Sequence, residues 1–325
     1  LMLAGLLSGC ANTANDDEVE YRWKMALNST EGDNAYDTGV LFAQKIKELT
    51  DGRVQVDLYG GAQLGTTAEV LEGMYAGVAD VMCESIGTLA TFTPLANIEA
   101  MPYMFSSYDH FMNVWYSDLG QEIKDAVGDD AGFKLMGASY RGPRVVCATK
   151  ELKTVADFKG FKLRAPNLDV YVKTWQWMGA APTPMAMSEV YTALQQGTVE
   201  GMENPLATLY GQAYYEVAKY ITLTKHVLMP TQWICNEDFF QSLTPEQQQW
   251  LCETGDEAGV YNNQLQDEML AQYMEDMEAN GVEIIDLSDE ERAKFVEASA
   301  AVYEDPVITA DWRDGLYDYV RSLMA

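Results

Sequence analysis

Three arginines stand out because basic residues are scarce in this chain. The sequence has 21 Lys+Arg against 50 Asp+Glu, a formal net charge of −29. Arg141, Arg144 and Arg164 fall within one stretch of 24 residues. A guanidinium presents a planar fork of donors that matches a carboxylate, so this cluster indicates recognition of a small organic acid. Pairing with surface acids is the alternative, because most arginines do that.

Two of the polar residues occupy positions that suit ligand binding. Arg164 ends a predicted strand directly before Ala165 and Pro166, and strand ends line the ligand crevice of open α/β sheets. Asn204 precedes Pro205, which holds its backbone extended, so its amide can face a ligand. A plain helix cap is the alternative role for Asn204.

Residues typical of enzymes and metal sites are few. His110 and His226 are the two histidines, and neither lies in a recognisable nucleophile motif. The chain has no phosphate loop, GxGxxG, HExxH or CxxC pattern. We therefore expect no enzyme, no metal and no cofactor, and the acidic charge argues against nucleic acid as a partner.

The cysteines divide into one near the N-terminus and four in the body. Residues 7–10 (LSGC) resemble the lipobox of bacterial lipoproteins, with Cys10 as the lipid attachment site and a polar tether over residues 11–20. A frayed N-terminus with an incidental cysteine is the alternative. No run of about 20 apolar residues could span a membrane, so we expect a lipid-anchored, extracytoplasmic protein. In the body, Cys83 and Cys147 lie in apolar runs that favour buried free thiols, while disulfides among Cys83, Cys147, Cys235 and Cys252 are the alternative that stays open.

The elements around these residues alternate between strands and helices. At 325 residues, the chain is long enough for two domains. The alternation predicts parallel sheets with helices on both faces. The predicted strands are residues 53–59, 78–83, 134–138 and 161–164, and the predicted helices are residues 36–49 and 188–196.

The C-terminal third is helical instead. Residues 244–247 (TPEQ) form a capping box, and no strong stop follows before Asn280. We predict one long helix, or two in line with kinks at Gly255 and Gly259, crossing between two domains. Residues 288–291 (SDEE) are a second capping box that opens a further helix.

A family resemblance covers nearly the whole mature chain. Residues 159–166 (KGFKLRAP) resemble the K-G-x-K-x-R-x-P signature of TRAP-transporter substrate-binding proteins of the DctP type. The match continues in order through further motifs, so the chain is identified as a member of that family. These motifs are GAQLG (61–65), MPYMF (101–105), MGAAPTPM (178–185), SEVYTALQQG (188–197) and VEGMENPL (199–206).

The resemblance implies an α/β fold with two domains that form a periplasmic-binding-protein-like clamshell. A ligand cleft would lie at the hinge, and the long helix would bridge the domains. Residues 1–19 would be a signal remnant, lipobox and tether. Domain I would comprise residues 20–141 and 230–269, and domain II residues 142–229 and 270–325.

The same resemblance assigns ligand-binding roles. Arg164 is similar to the principal carboxylate-binding arginine, Arg144 to a second arginine, and Asn204 to a cleft asparagine. Similarity to sialic-acid-binding members adds Asn28 and Glu84, and Asn167 is a weaker candidate.

The chain also departs from the sialic-acid binders. Ile86 and Gly87 replace a polar and basic pair, which would leave the far end of a sialic acid without partners. Met187 stands where an aromatic residue usually lines the cleft. Residues 141–144 (RGPR) resemble members that bind sugar acids, which makes Arg141 a ligand candidate, with a hinge or surface residue as the alternative. His226 matches a recurrent histidine near the second hinge, and we interpret it as structural.

We therefore expect a monomeric binding protein that delivers a small organic acid, a hexuronate above all, to the membrane subunits of a TRAP permease. Sialic acid or a C4-dicarboxylate is the alternative ligand. An extracytoplasmic enzyme acting on acid sugars and a surface interaction protein are the alternatives of other classes.

Overall fold

The computed structural model describes residues 19–324, apart from the side chains of residues 34 and 264–268. Eleven α-helices and ten strands form this part of the chain. The strands are β1 (Tyr21–Ala26), β2 (Val54–Tyr59), β3 (Val81–Glu84), β4 (Phe133–Ala148), β5 (Lys162–Ala165), β6 (Ala181–Pro184), β7 (Gly201–Pro205), β8 (Tyr220–Thr222), β9 (Leu228–Asn236) and β10 (Glu283–Ile285). The helices are α1 (Asn34–Leu49), α2 (Thr67–Met74), α3 (Tyr108–Trp115), α4 (Asp118–Ala131), α5 (Asp169–Trp177), α6 (Met187–Gln195), α7 (Leu206–Gly211), α8 (Glu237–Ser242), α9 (Pro245–Ala279), α10 (Asp289–Ser299) and α11 (Leu316–Ser322).

The strands form two parallel groups joined by an antiparallel centre. The order along the sheet is β2-β1-β3-β9-β4-β7-β5-β6, with β8 paired to β4 and β10. Strands β1, β2 and β3 are parallel, and so are β5, β6 and β7. The pairs of β9 with β3 and β4, and of β4 with β7, are antiparallel. The predicted parallel pairing is present within each group, and the antiparallel strands β4 and β9 that join the groups were not predicted.

Strand β4 is much longer than the sequence pattern predicted. We predicted residues 134–138, but the strand continues to Ala148 past Gly142 and Pro143. Its register with β9 shifts twice, the second time between Tyr140 and Pro143, and such bulges accommodate residues that would interrupt a regular strand. From Arg144 onward β4 pairs with β7 instead. The predicted strand 78–83 also begins late, since the Val78 amide donates to Gly73 and closes α2.

Helix α9 confirms the predicted long helix and contributes to two separate cores. Leu251 and Ala258 pack with residues of the β1–β3 group, while Tyr273 and Met277 pack with residues of the β7 group. Thr244 and Gln247 make the reciprocal hydrogen bonds of the predicted capping box. The helix therefore bridges the two halves of the molecule.

Helix α9 passes through Gly255 and Gly259 without a break, and Gly259 allows close packing against β4. The helix is continuous over 35 residues. A Cβ atom at Gly259 would lie 2.3 Å from the carbonyl oxygen of Ala138, so only glycine lets the helix approach β4 this closely. At the second predicted capping box, Ser288 accepts from the Glu291 amide, but the Glu291 carboxylate binds Lys294 instead of returning the bond.

The body cysteines are free thiols in the described part of the chain. Cys83, Cys147 and Cys235 are buried and Cys252 is half-buried, which confirms the interpretation of Cys83 and Cys147. Burial raises the pKa of the Cys83 and Cys147 thiols to about 12. Over residues 19–324, no helix is both long and apolar enough to cross a membrane. The predicted lipid attachment site, Cys10, lies outside the described residues.

Candidate functional site

A cleft of about 570 Å³ lies between the two groups of parallel strands. Its wall is formed by residues from β3, β4, β5 and β7, and by the first residues of α2 and α6. The cleft brings together all the ligand-binding residues that the sequence predicted in the body of the chain. They are Asn28, Glu84, Arg141, Arg144, Arg164, Asn167, Met187 and Asn204.

Arg164 is a buried cation without an anion. It lies in β5 between β6 and β7 and is 4% exposed. Its Nε and Nη2 atoms donate to the Met185 carbonyl oxygen, at 3.1 and 2.8 Å. None of the described carboxylates forms an ion pair with it, and burial lowers its pKa to about 10. Because an uncompensated buried charge is costly, this guanidinium is placed to receive a carboxylate from outside the chain.

Arg144 differs from Arg164, because its anion is built into the protein. The Glu203 carboxylate accepts from Arg144 Nε at 2.5 Å and from Nη2 at 2.7 Å. The guanidinium also stacks over the Tyr171 ring, 4.8 Å from its centroid. Its Nη1 atom is 3.1 Å from the sulfur of Met229, another residue of the cleft wall. The pair with Glu203 occupies Nε and Nη2, so Nη1 is the nitrogen of Arg144 that does not contact Glu203.

Glu203 links Arg144 to His226. His226 Nε2 lies 3.0 Å from the same Glu203 oxygen that Arg144 Nε contacts, and His226 Nδ1 lies 2.9 Å from the Thr224 hydroxyl. Burial alone would raise the pKa of Glu203, but Arg144 and His226 outweigh it and hold the pKa at about 2. Burial also lowers the pKa of His226. His226 is fully buried and is not a cleft residue, in agreement with a structural role.

The end of the cleft away from Arg164 is lined by polar side chains that hydrogen-bond to one another. Glu84 accepts from the Asn28 amide at 2.9 Å and from the Ser85 backbone amide at 3.0 Å. Asn28 also donates to the Thr67 hydroxyl. Arg141 Nη1 lies 3.9 Å from Glu84, and Arg141 Nη2 lies 3.2 Å from Asp33. Two carboxylates thus share one guanidinium, so this end carries a net negative charge.

Arg141 is buried, which excludes the surface alternative for that residue. It is 9% exposed, and its Nη2 atom also donates to the Thr208 hydroxyl at 2.9 Å. Its Nε atom is buried without a partner. The Arg141 side chain therefore lines the cleft and also forms buried hydrogen bonds with Asp33 and Thr208.

Three further predicted residues lie around the Arg164 end. Asn204 is the last residue but one of β7, and its amide nitrogen is 3.5 Å from the Met187 sulfur. Helix α7 begins after Pro205 without a side-chain cap, so the alternative role of Asn204 as a helix cap is wrong. Met187 begins α6 and is half-buried, while Asn167 is exposed at the cleft edge.

Ile86 and Gly87 do not line the cleft. Ile86 is fully buried, and the Gly87 amide donates to the Glu99 carboxylate at 2.6 Å behind the wall. Thr88 and Thr91 face the cleft there instead. The expectation that Ile86 and Gly87 leave the far end without polar side chains is therefore wrong, because the chain turns into a 3-10 helix at Ile86.

Sequence reasoning missed several residues that support the site. Glu203 stood beside Asn204 in a recognised motif, but nothing local showed that it pairs with Arg144. Glu99 is a fully buried carboxyl that accepts from Ser85 and Gly87 with one oxygen, while its other oxygen has no partner. Burial raises the pKa of Glu99 to about 7 despite those hydrogen bonds. No sequence signal marked it, because its environment is created by tertiary packing.

The described residues contain no cluster of His, Cys, Asp or Glu side chains that could hold a metal ion. The cleft offers hydrogen-bond donors, acceptors and charge, which are the means to bind and orient a polar anion.

Comparisons with known proteins agree with this geometry. A relative from Vibrio cholerae, the sialic acid-binding periplasmic protein SiaP, is 32% identical over 68% of this chain and 69% of its own. A solved TRAP periplasmic solute-binding protein from Pseudomonas putida F1, with bound D-glucuronate, superposes with a TM-score of 0.87 at 27% identity, covering 94% of this chain and 98% of the other. A second, from Roseobacter denitrificans OCh 114 with bound L-galactonate, gives a TM-score of 0.85 at 28% identity, with 94% and 99% covered.

These structures establish the two-domain clamshell as the fold of this chain. The family model described as bacterial extracellular solute-binding protein, family 7 (DctP) matches residues 25–309. The chain belongs to this family of extracytoplasmic solute-binding proteins of TRAP transporters.

Proposed function

We propose that this chain binds a compact sugar acid, with a hexuronate as the best candidate, and that Arg164 holds its carboxylate. The observation that carries the proposal is the buried guanidinium of Arg164, which lines the cleft, donates from Nε and Nη2 to one carbonyl oxygen, and forms no ion pair with the described residues. Related proteins solved with D-glucuronate and L-galactonate support the same ligand class.

The polar end of the cleft supports a neutral, hydroxyl-rich ligand tail. Glu84 is an acceptor held in place by Asn28 and Ser85, so it suits hydroxyl donors. A second carboxylate at this end would meet the net negative charge of Glu84, Asp33 and Arg141. A C4-dicarboxylate should therefore bind more weakly than a hexuronate.

Sialic acid is larger and must place its glycerol tail and N-acetyl group beyond Glu84. Thr88 faces that region, but its hydroxyl proton is already donated to the Ser85 carbonyl at 2.6 Å. Thr88 can accept hydrogen bonds but has no donor left for the amide oxygen, so of the two threonines here Thr91 is the one that could donate. Any ligand group left unpaired there would cost about 1–3 kcal/mol, which would favour the smaller acid.

Binding should proceed by closure of the two domains, taken as residues 20–141 with 230–269 and residues 142–229 with 270–325. Strand β4 changes partner at Arg144, close to the proposed boundary. A ligand that contacts both sides of the cleft binds the closed form more tightly and so shifts the population toward it. The net charge of −29 repels anions at long range, so the cleft arginines must act locally.

The cellular setting is also a proposal. Lipidation at Cys10 would anchor the monomer to a membrane surface, from which it passes the unchanged acid to TRAP permease subunits. The protein would not be an enzyme, which is in keeping with the solute-binding family to which the chain belongs.

A ligand screen tests the proposal. Thermal unfolding with D-glucuronate, D-galacturonate, L-galactonate, sialic acid and succinate should show the largest stabilisation with a uronate. A ligand at 100 times its Kd should add roughly 2.7 kcal/mol. Chromatography of the uronate after hours with the protein should recover it unchanged, whereas turnover would favour an enzyme.

Glu84→Gln sharpens the result, because it removes one negative charge but keeps an acceptor. It should raise the affinity for succinate relative to D-glucuronate. Sialic acid or succinate binding more tightly to the parent than every uronate would overturn the ligand assignment. If no acid stabilises the parent, the proposed function itself is wrong.

A further inference from the structure

A tight backbone contact lies beside the polar end of the cleft, where the turn before α1 meets the end of α7. A Cβ atom at Gly211 would lie 2.9 Å from both N and Cα of Asp33 and 2.9 Å from the carbonyl oxygen of Gly32. All of these are backbone atoms, so they cannot give way as a flexible side chain could. No positive φ requires glycine at position 211, so the close approach is the reason that a larger residue does not fit.

The two segments belong to opposite sides of the cleft. The turn leads into α1, which packs with the β1–β3 group, while α7 follows β7 and packs with the other group. Thr30 and Gln212, which flank this contact, both line the cleft. The contact therefore joins the two sides at the edge of the ligand site.

One guanidinium reinforces the contact. Arg141 Nη2 donates to the Asp33 carboxylate at 3.2 Å on one side and to the Thr208 hydroxyl at 2.9 Å on the other. Asp33 is fixed by its role as the N-cap of α1, where it accepts from the Ala35 amide at 3.0 Å. Asp33 and Thr208 are 0% and 1% exposed, so these bonds are shielded from water.

We propose that Gly211, Thr208, Arg141 and Asp33 form a closure clasp that holds the two sides of the cleft together over the bound acid. The inference rests on the proposed function, in which the cleft closes on its ligand. Arg141 is then a positioning residue: it joins the two sides and neutralises charge beside Glu84. Because the ligand leaves only after the clasp opens, the clasp sets the dissociation rate more than the association rate.

Gly211→Ala tests the steric part, because alanine favours a helix but needs space that the contact lacks. Gly39→Ala is the matched control, since a Cβ at Gly39 in α1 would meet only side-chain atoms of Leu27 and Met25. Spin labels on cysteines at the exposed positions Glu72 and Thr192, with Cys10 and Cys252 changed to serine, report the distance between α2 and α6. We expect Gly211→Ala to lengthen that distance and to speed dissociation of D-galacturonate at least tenfold.

Thr208→Val tests the polar part, because it removes the hydroxyl and keeps the shape. Thr174→Val is its control, since the buried Thr174 hydroxyl has no hydrogen-bond partner. Stopped-flow measurements should show several-fold faster dissociation for Thr208→Val, with little change in association, and parent-like rates for Thr174→Val.

The clasp and the proposed function fail in different ways. If the parent binds none of the acids, the proposed function is wrong, and the clasp is judged on the free protein. Without ligand, the distance distribution between the two spin labels should contain a short-distance population in the parent, and this population should be missing in Gly211→Ala. Identical distance distributions for parent and Gly211→Ala, with and without acid, would overturn the clasp.

Discussion

Arg144 and Arg164 line the same cleft, but they differ in whether a carboxylate of the protein compensates the guanidinium charge. Arg144 in β4 is 3% exposed and forms a bidentate pair with Glu203, which His226 also contacts. Arg164 in β5 is 4% exposed, and within residues 19–324 its one hydrogen-bond partner is the Met185 carbonyl oxygen. Two equally buried guanidiniums thus have opposite surroundings.

On the proposed function, this difference would separate a structural role for Arg144 from a binding role for Arg164. A buried ion pair compensates its own desolvation, so its removal is expected to damage the fold. A buried cation without an anion is expected to weaken the free protein and would gain its partner when the ligand binds. Residue type and burial alone would not distinguish the two arginines, whereas the presence of a built-in carboxylate does.

Replacing each arginine by methionine should give opposite effects on stability. Arg144→Met leaves the buried Glu203 charge uncompensated and should lower the free energy of unfolding by about 3–5 kcal/mol. Arg164→Met removes an uncompensated charge and should leave the stability of the free protein unchanged or slightly higher. Urea unfolding without ligand measures both. Equal losses of unfolding free energy in the two variants would contradict the proposed difference between Arg144 and Arg164.

Arg164→Lys should weaken binding although the charge is kept. Lysine cannot hold the Met185 carbonyl and a carboxylate with one planar fork, so we expect a loss of about 2–4 kcal/mol in binding free energy. Calorimetry with D-glucuronate measures it, and Lys162→Arg, on an exposed residue of the same strand, is the control. An Arg164→Lys protein that binds within a few-fold of the parent would contradict the role of Arg164.

The same contrast extends to two buried acids, Glu99 without a cation and Glu203 with one. The pKa of Glu99 is raised from 4.5 to about 7, so its protonated form favours folding. Its stabilisation is complete below pH 4.5 and is lost as the pH rises through 7, up to about 3 kcal/mol. The low pKa of Glu203 acts in the opposite sense, and its stabilisation is lost only as the pH falls toward 2.

Glu99→Gln should remove the Glu99 contribution, because glutamine is neutral throughout and still accepts from Ser85 and Gly87. The variant should gain stability relative to the parent between pH 4.5 and pH 7.5. Urea unfolding at the two pH values tests this. A difference between variant and parent that does not change with pH would show that Glu99 is not the titrating group.

Cys10→Ser should leave ligand affinity unchanged and should release the protein from the membrane. The lipid chains would hold the protein by apolar burial, and the tether separates them from the cleft. Cell fractionation should find the variant in the soluble fraction with parent affinity for D-glucuronate. A serine variant that stays on membranes would mean that another anchor operates.

Local signals in the sequence predicted the parts of the fold that depend on nearby residues. The capping residues Thr244 and Gln247 were identified because helix ends are determined within one turn, and the predicted start of α6 at Ser188 lies one residue after the observed start at Met187. The family motif around residues 159–166 led directly to Arg164. These features need no knowledge of distant parts of the chain.

Long-range pairing accounts for what the sequence did not reveal. The predicted strand stopped at residue 138, but pairing with β9 and β7 extends β4 to Ala148. Arg144 and Glu203 are 59 residues apart, so the pair that separates Arg144 from Arg164 appears only in the fold. The orientation of Ile86 away from the cleft depends in the same way on distant packing.

The most direct test measures the coupling between Arg164 and the ligand carboxylate. D-Glucuronate and its neutral analogue D-glucuronamide are titrated by calorimetry into the parent and into Arg164→Lys. The parent should prefer the acid strongly, and the variant should lose most of that preference, with a coupling of at least about 2 kcal/mol. If the variant discriminates acid from amide as well as the parent does, the carboxylate binds elsewhere and Arg164 is not its site.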